Sequence, residues 1–280
     1  MDLKKYIPDS LYLELMYRRL FGTKLHLRFP VTFNEKMQWL KLHDRKEIYP
    51  LMVDKYEAKT YAAERIGADH IIPTIGIWTQ FDDIDIDALP ASFVLKCTHD
   101  SGGLIICKDK TTFDIDSARA KIQRSLMNNY FYIGREWPYK NVEHRVLAEE
   151  YIHDDNDMSL TDYKVHSFNG IPKLILVCRN RYSSEGMTED FFDTNWNHLD
   201  VRRPGHKNSE EAIPVPYGLE EMIHMTKLLS KDVPFLRVDF YCVNRRVLFG
   251  EMTFYPSSGF QRFIPDSFDT LLGSWLNLPR

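Results

Sequence analysis

Apolar positions recur at helical spacing in the first quarter of the chain and at strand spacing through most of the rest. LYLELMYRRLF (11–21) carries apolar residues every three or four positions, and Thr32-Phe33-Asn34-Glu35 has the form of a capping box opening KMQWLKLHDR. Asp54 and Gly67 bracket another helical stretch, DKYEAKTYAAERIG, after which IIPTIGIW (71–78) reads as an edge strand. From about Ser92 the pattern becomes strand, turn, strand: SFVLKC (92–97), THDSGG (98–103) and LIICKD (104–109) predict a hairpin. SARAKIQRSLMNNYF (117–131) is helical, and VLAEEYI (146–152), DYKVHSFN (162–169) and IPKLILVCRNR (171–181) are strands, with a hairpin turn at Asn169-Gly170. Residues 182–218 lack periodicity and predict one long loop. LEEMIHMTKLLSKD (219–232) is an amphipathic helix, and FLRVDFYCVN (235–244) with RVLFGEMTFY (246–255) forms a last hairpin.

The 280 residues are enough for one large unit or two packed lobes. With 36 Lys and Arg against 40 Asp and Glu, the net charge of −4 gives no drive toward nucleic acid or anionic lipid. No run approaches the roughly 18 apolar residues of a membrane span, and MDLKKYIPDS has no signal-peptide core, so a cytoplasmic chain without an integral membrane segment is expected. Cys97, Cys107, Cys178 and Cys242 sit singly in apolar stretches without metal spacing and read as small buried hydrophobes.

The familiar phosphate-loop, dinucleotide, nucleophile-elbow and HExxH patterns are absent. A different arrangement is present. Lys96 ends an apolar strand six residues before Gly102-Gly103, so a strand lysine and a flexible loop can meet phosphate together, although a solvent-facing lysine beside an ordinary turn has the same spacing. Asp239 and Glu251 lie on strands joined at Asn244-Arg245, and antiparallel pairing would set both carboxylates on one face. Mg²⁺ bound there would relieve their repulsion, with Thr253 and Arg237 on the same face; a surface ion-pair ladder is the plainer reading. Glu149 and Glu150 put one carboxylate on each side of their strand.

Taken in order, TFNEKMQWLKLHDR, VDKYEAK, FVLKCTHDSGG, AEEYI with DYKVHSFNG, FFDTNWN, and PFLRVDFY with FGEMTFYPSSGF resemble the ATP-grasp superfamily, in its TupA-like branch of bacterial surface-polysaccharide clusters. The resemblance implies an α+β fold in which two lobes, 54–145 and 146–280, grip ATP between antiparallel sheets behind a short helical region, 1–53. It implies phosphate contacts from Lys55 and Lys96, with His99, Ser101, Gly102 and Gly103 in a small closing loop. Glu149, Glu150, Tyr151 and Ile152 would hold adenine, Asp162 the ribose, and Lys164, Arg179 and Arg181 phosphate or acceptor. Asp239 and Glu251 would bind Mg²⁺, and Arg237 would join Lys96 as a catalytic residue by steadying a tetrahedral intermediate. Thr253 stands where the family usually has an asparagine ligand, and the helical start is too short for the usual acceptor domain.

The implied activity is a carboxylate–amine ligase joining an amine to a uronic-acid unit of a surface glycan through an acyl phosphate. Three alternatives remain open. A sugar-nucleotide glycosyltransferase has its hook in the triplets Asp83-Ile84-Asp85, Asp85-Ile86-Asp87, Asp114-Ile115-Asp116 and Asp155-Asn156-Asp157. A sugar kinase would use the same fold, and a degenerate chain would only bind. Acceptor candidates are Arg202, Arg203, His206 and Lys207 within Asn195 to Lys207, and the tail Ser257-Ser258-Gly259-Phe260.

Overall fold

The computed structural model describes residues 3–153, 160–181 and 186–279. Helices α1 (Asp9–Phe21), α2 (Phe33–His43), α3 (Tyr49–Val53) and α4 (Glu57–Ile66) come first. The Thr32 and Glu35 capping box forms as expected, and Asp54 accepts from the amides of Tyr56 and Glu57 to start α4.

Strands β1 (Thr74–Trp78), β2 (Phe93–Cys97), β3 (Leu104–Cys107) and β4 (Val146–Glu150) build an antiparallel sheet of order β1-β4-β2-β3. Helix α5 (Ile115–Leu126) covers it, and α6 (Phe131–Gly134) follows as a separate turn where one longer helix was expected. Phe81, Phe93, Leu95, Ile122 and Val146 form this lobe's own core.

The second sheet, also antiparallel, has six strands in the order β10-β9-β5-β6-β7-β8. These are β5 (Asp162–Phe168), β6 (Ile171–Arg179), β7 (Thr188–Asp193), β8 (His198–Leu199), β9 (Phe235–Val243) and β10 (Arg246–Thr253). Helix α7 (Leu219–Leu229) packs on β5, β6 and β9, while α8 (Ser267–Trp275) packs on α2. One face of the sheet, with Val165, Ile175, Val177, Leu236, Val238 and Phe240, joins Phe33, Met37 and Leu40 of α2 in the main core. The architecture is α+β, as the sequence predicted.

Two regions hold elements that the apolar pattern does not show. Residues 182–218 are not one loop: β7 and β8 lie within them, hidden because Glu189 and Asp190 occupy buried strand positions that break apolar alternation. The C-terminal tail contains α8, whose apolar face meets α2. All four cysteines are free, three of them buried and Cys242 partly so. Among the described residues no helix is long and apolar enough to cross a membrane.

Candidate active site

The two sheets face each other across a cleft that brings Lys55, Lys96, Ser101 and Gly103 together with Asp162, Lys164, Asp239 and Glu251. On the small sheet, β2 and β4 pair Val94 with Glu149, which sets Lys96 diagonally beside that carboxylate. Lys96 pairs with one Glu149 oxygen and Lys59 of α4 reaches the other at 2.8 Å. Burial alone would raise the Glu149 carboxyl, but Lys96 and Lys59 outweigh it and hold it below its ordinary range. Burial lowers the Lys59 ammonium against the opposing pull of Glu149.

The loop between β2 and β3 is fixed by side chains. The Lys55 ammonium donates to the Asp100 carbonyl, and the Asp100 carboxylate accepts from the Gly103 amide at 3.0 Å and from the Ser125 hydroxyl. A Cβ on Gly103 would lie 2.6 Å from both Cys97 Sγ and Ser125 Oγ, so only glycine allows this approach. His99 departs from the expected place in the cleft. Its ring lies under the loop, stacked 3.7 Å from His144, with Nε2 3.1 Å from the Ser125 carbonyl. Gly102 is likewise outside the cleft lining.

On the large sheet, register sets Lys164, Asp239 and Glu251 in one row across β5, β9 and β10, and His166, Arg237 and Thr253 in the next. A bulge at Gly250 makes the first row possible. Arg237 grips both Asp239 oxygens, Nε at 2.6 Å and Nη2 at 2.7 Å, and reaches Glu251 at 3.1 Å. Lys164 also pairs with Asp239. Burial opposes ionisation, yet Arg237 and Lys164 keep Asp239 well below the ordinary carboxylate range. Asp162 pairs with Arg181 and lies 3.8 Å from Lys164.

Among the described residues no group of three or more His, Cys, Asp or Glu side chains is placed to hold a metal. Two carboxylates, cross-strand partners in one cleft, nevertheless fit Mg²⁺, which keeps waters and takes one or two carboxylates plus substrate phosphates. Thr253 faces Arg237 in the register and lies outside the cleft lining.

The strand expected at adenine is placed unevenly. Glu149 is turned to the two lysines, Glu150 is exposed, the Tyr151 ring stacks on His153, and Ile152 packs beside Ile72, Val243 and Leu248. Arg179 ends β6 outside the lining. Of the acidic triplets, Asp85 accepts from the amides of Asp87 and Ala88, Asp114 caps α5, and Asp116 pairs with Arg119. Asp155-Asn156-Asp157 lies outside the described residues. The two acceptor candidates meet, since Arg203 reaches Ser257 Oγ at 3.3 Å. Arg202 instead pairs its backbone with Ile264. Sequence reasoning missed Lys59, Asp100 and Glu189; only Asp100 carried a signal, an Asp three residues before a Gly in a turn.

No match was found among curated protein sequences. Among solved structures, D-alanine-D-alanine ligase from Helicobacter pylori is 16% identical, with 87% of this chain and 69% of that chain covered and a TM-score of 0.46. The same enzyme from Bacillus anthracis complexed with ATP is 17% identical, with 72% and 55% covered and a TM-score of 0.42, so this chain spans little more than half its length. The ATP-grasp ligase PsnB complexed with minimal precursor, Mg and ADP is 7% identical, with 79% and 57% covered and a TM-score of 0.41. The family model of the TupA-like ATP-grasp proteins matches residues 35–277, and the chain belongs to that family.

Proposed function

We propose that the protein is an ATP- and Mg²⁺-dependent, ADP-forming ligase that joins an amine to the carboxylate of a uronic-acid unit in a bacterial surface polysaccharide or its precursor. The observation that carries this reading is the cleft itself: Lys55, just before α4, and Lys96 of the small sheet face Asp239 and Glu251 of the large sheet. The lysines supply charge for phosphate, and the two carboxylates supply oxygen ligands for a metal that neutralises phosphate oxygens when bound. The γ-phosphoryl group passes to the acceptor carboxylate, giving an acyl phosphate and ADP. The amine then attacks the acyl carbon, and the tetrahedral intermediate collapses with release of phosphate. Arg237, a cation held against Asp239 and Glu251 beside the cleft, would stabilise the charge that develops on oxygen in both steps. Among the described residues of the lining none is arranged as a protein nucleophile, which suits a reaction run by positioning and charge. Dependence on ATP puts the reaction in the cytoplasm.

The test is ADP release from ATP·Mg²⁺ over a matrix of uronic acids and amines. Release that needs both components supports the ligase. Release that needs a sugar and ignores every amine replaces it with a kinase, and thermal stabilisation by UDP-sugars without any by ATP replaces it with a glycosyltransferase.

A further inference from the structure

The net charge of −4 conceals an uneven distribution. Residues 1–31 hold six Lys and Arg against three Asp and Glu, while the rest of the chain holds 30 against 37. Exposed apolar side chains gather in the same stretch. Among the described residues, Tyr6, Leu11, Leu15, Leu20, Phe29 and Val31 are six of the sixteen large exposed ones. Single exposed hydrophobes are ordinary, but their concentration in one basic stretch is not. The family match begins at residue 35, so this stretch lies outside it.

Helix α1 orders the pattern. Its inner face carries Tyr12, Leu13 and Tyr17, which form a small core with Leu25 against Leu42 and Phe260. Three contacts fix the helix about its axis. Asp9 pairs with Arg45 at 3.2 Å and with Arg135 at 3.3 Å, and the Tyr12 hydroxyl donates to the Ile133 carbonyl at 2.8 Å. Leu11 and Leu15, one turn apart, are thereby left in the middle of the outer face, 48% and 54% exposed. Arg18 and Arg19 continue that face by another turn, and Glu14 is the acid on it. The helix cannot roll to bury these leucines without drawing Tyr12 and Tyr17 out of their core.

The cations of this stretch differ from those of the cleft. Lys96, Lys164 and Arg237 are each held in an ion pair, whereas among the described residues none of Lys5, Arg18, Arg19, Lys24 and Arg28 is. All five are exposed. Lys5 lies over the Tyr132 ring at 5.2 Å, next to the exposed Ile133, and Arg28 lies over the exposed Phe29 at 5.3 Å. Unpaired cations thus stand beside bare apolar groups. That composition matches the boundary between lipid headgroups and acyl chains, where apolar side chains enter and long Lys and Arg stems reach phosphate. Nucleic acid would use the cations and leave the leucines in water.

We propose that residues 5–31 seat the protein on an anionic membrane surface, with Leu11 and Leu15 entering the acyl boundary and Lys5, Arg18 and Arg19 meeting lipid phosphates. The contact is peripheral, since among the described residues no helix is long and apolar enough to cross. The acidic remainder of the chain is repelled by the same surface, which orients the protein on it. The proposal is independent of the ligase reading, because among the described residues none before Lys55 lines the cleft.

The experiment is flotation of the full chain with vesicles of phosphatidylcholine alone and of phosphatidylcholine mixed equally with phosphatidylglycerol, in low salt and in about 0.5 M salt. Leu11→Gln with Leu15→Gln removes the apolar groups, and Arg18→Gln with Arg19→Gln removes two charges. All four positions are exposed and glutamine is a good helix former, so the urea midpoint should hold in both pairs. Binding to anionic vesicles at least about 10-fold tighter than to neutral ones, weakened by salt and lowered at least about 5-fold in each pair, supports the proposal. Equal binding to the two vesicles, no binding to either, or unchanged binding in either pair overturns it. Sedimentation velocity covers the other occupant: a wild-type dimer that the leucine pair dissociates, without vesicle binding, assigns the face to a second copy and overturns the proposal. Affinity for Mg·ADP should be equal in all three proteins, and its absence from the wild type bears on the ligase reading alone.

Discussion

The two sheets that form the cleft are stabilised in different ways. The large sheet buries one whole face against α2, α7 and α8, and two of its hairpins turn through the two-residue pairs Asn169-Gly170 and Asn244-Arg245, all with positive φ. The small sheet has a separate core around Phe93 and Ile122, and its central hairpin carries a six-residue connection held by Asp100 and Ser125. Backbone contact between them is slight, the bridge of Ile71 to Phe249 being one instance. Lys96, proposed for phosphate, thus sits on an element with its own core, whereas Lys55 lies between α3 and α4 on the main core and the residues proposed for metal lie on the sheet that anchors the fold. A cleft built this way can adjust around a nucleotide while the carboxylates keep their register.

That contrast can be broken most directly at the two glutamates. Glu149→Gln leaves Lys59 and Lys96 sharing a neutral partner and should cost about 3–5 kcal/mol in urea unfolding. Glu251→Gln, whose side chain is 41% exposed, should cost at most about 1 kcal/mol, yet lower ADP release at least about 100-fold. Equal stability losses would show that the two walls are not distinct. Next in size, Ile122→Ala should cost about 2–5 kcal/mol and, followed by hydrogen exchange, expose β2 and β3 amides before those of β5 and β9. Simultaneous exposure would mean one cooperative unit.

Acid should act on both walls, with a sign that can be worked out. Asp239 and Glu149 are held below their ordinary values, so the stability they add is complete above about pH 4 and is lost as pH falls through their folded values. His166 in the large lobe and His99 in the small one are also lowered, chiefly by burial. The unfolded chain takes up their protons from about pH 6.5 downward while the folded chain does not, so stability should begin to fall there. His99→Phe should flatten the part of that slope that belongs to the small lobe, read as the urea midpoint between pH 6.5 and 5. The smallest expected change is Thr253→Asn. Because Thr253 lies outside the cleft lining, it should alter Mg²⁺ affinity by no more than a few-fold in a calorimetric titration with Mg·ADP.

Much of this was legible from local chemistry. The capping box at Thr32, the N-cap at Asp54 and the turns at Asn169-Gly170 and Asn244-Arg245 depend on neighbouring residues, so a linear sequence carries them. Lys96 and Asp239 were visible as charges inside apolar strands, where each needs a partner. β7 was not visible, since partners of its buried acids, such as Arg203 for Glu189 and Ser209 for Asp190, lie 14 and 19 residues further on. His99 was misplaced because nothing in THDSGG tells which side of the loop faces helix α5.

The carboxylate pair shows where the division falls. The sequence by itself determined that Asp239 and Glu251 lie on adjacent antiparallel strands joined by a two-residue turn. Continuing the register of that turn would set Gly250 opposite Asp239 and point Glu251 to the apolar face, as it does the pair of Phe249 and Phe240. Only the folded sheet supplies the bulge that moves Glu251 opposite Asp239, and it does so at a glycine whose added Cβ would come within 3.0 Å of the Asp239 carbonyl. The physical reason is parity: side chains alternate every residue, so a single extra residue decides which face a charge occupies, and it is the packing of the whole sheet that selects it.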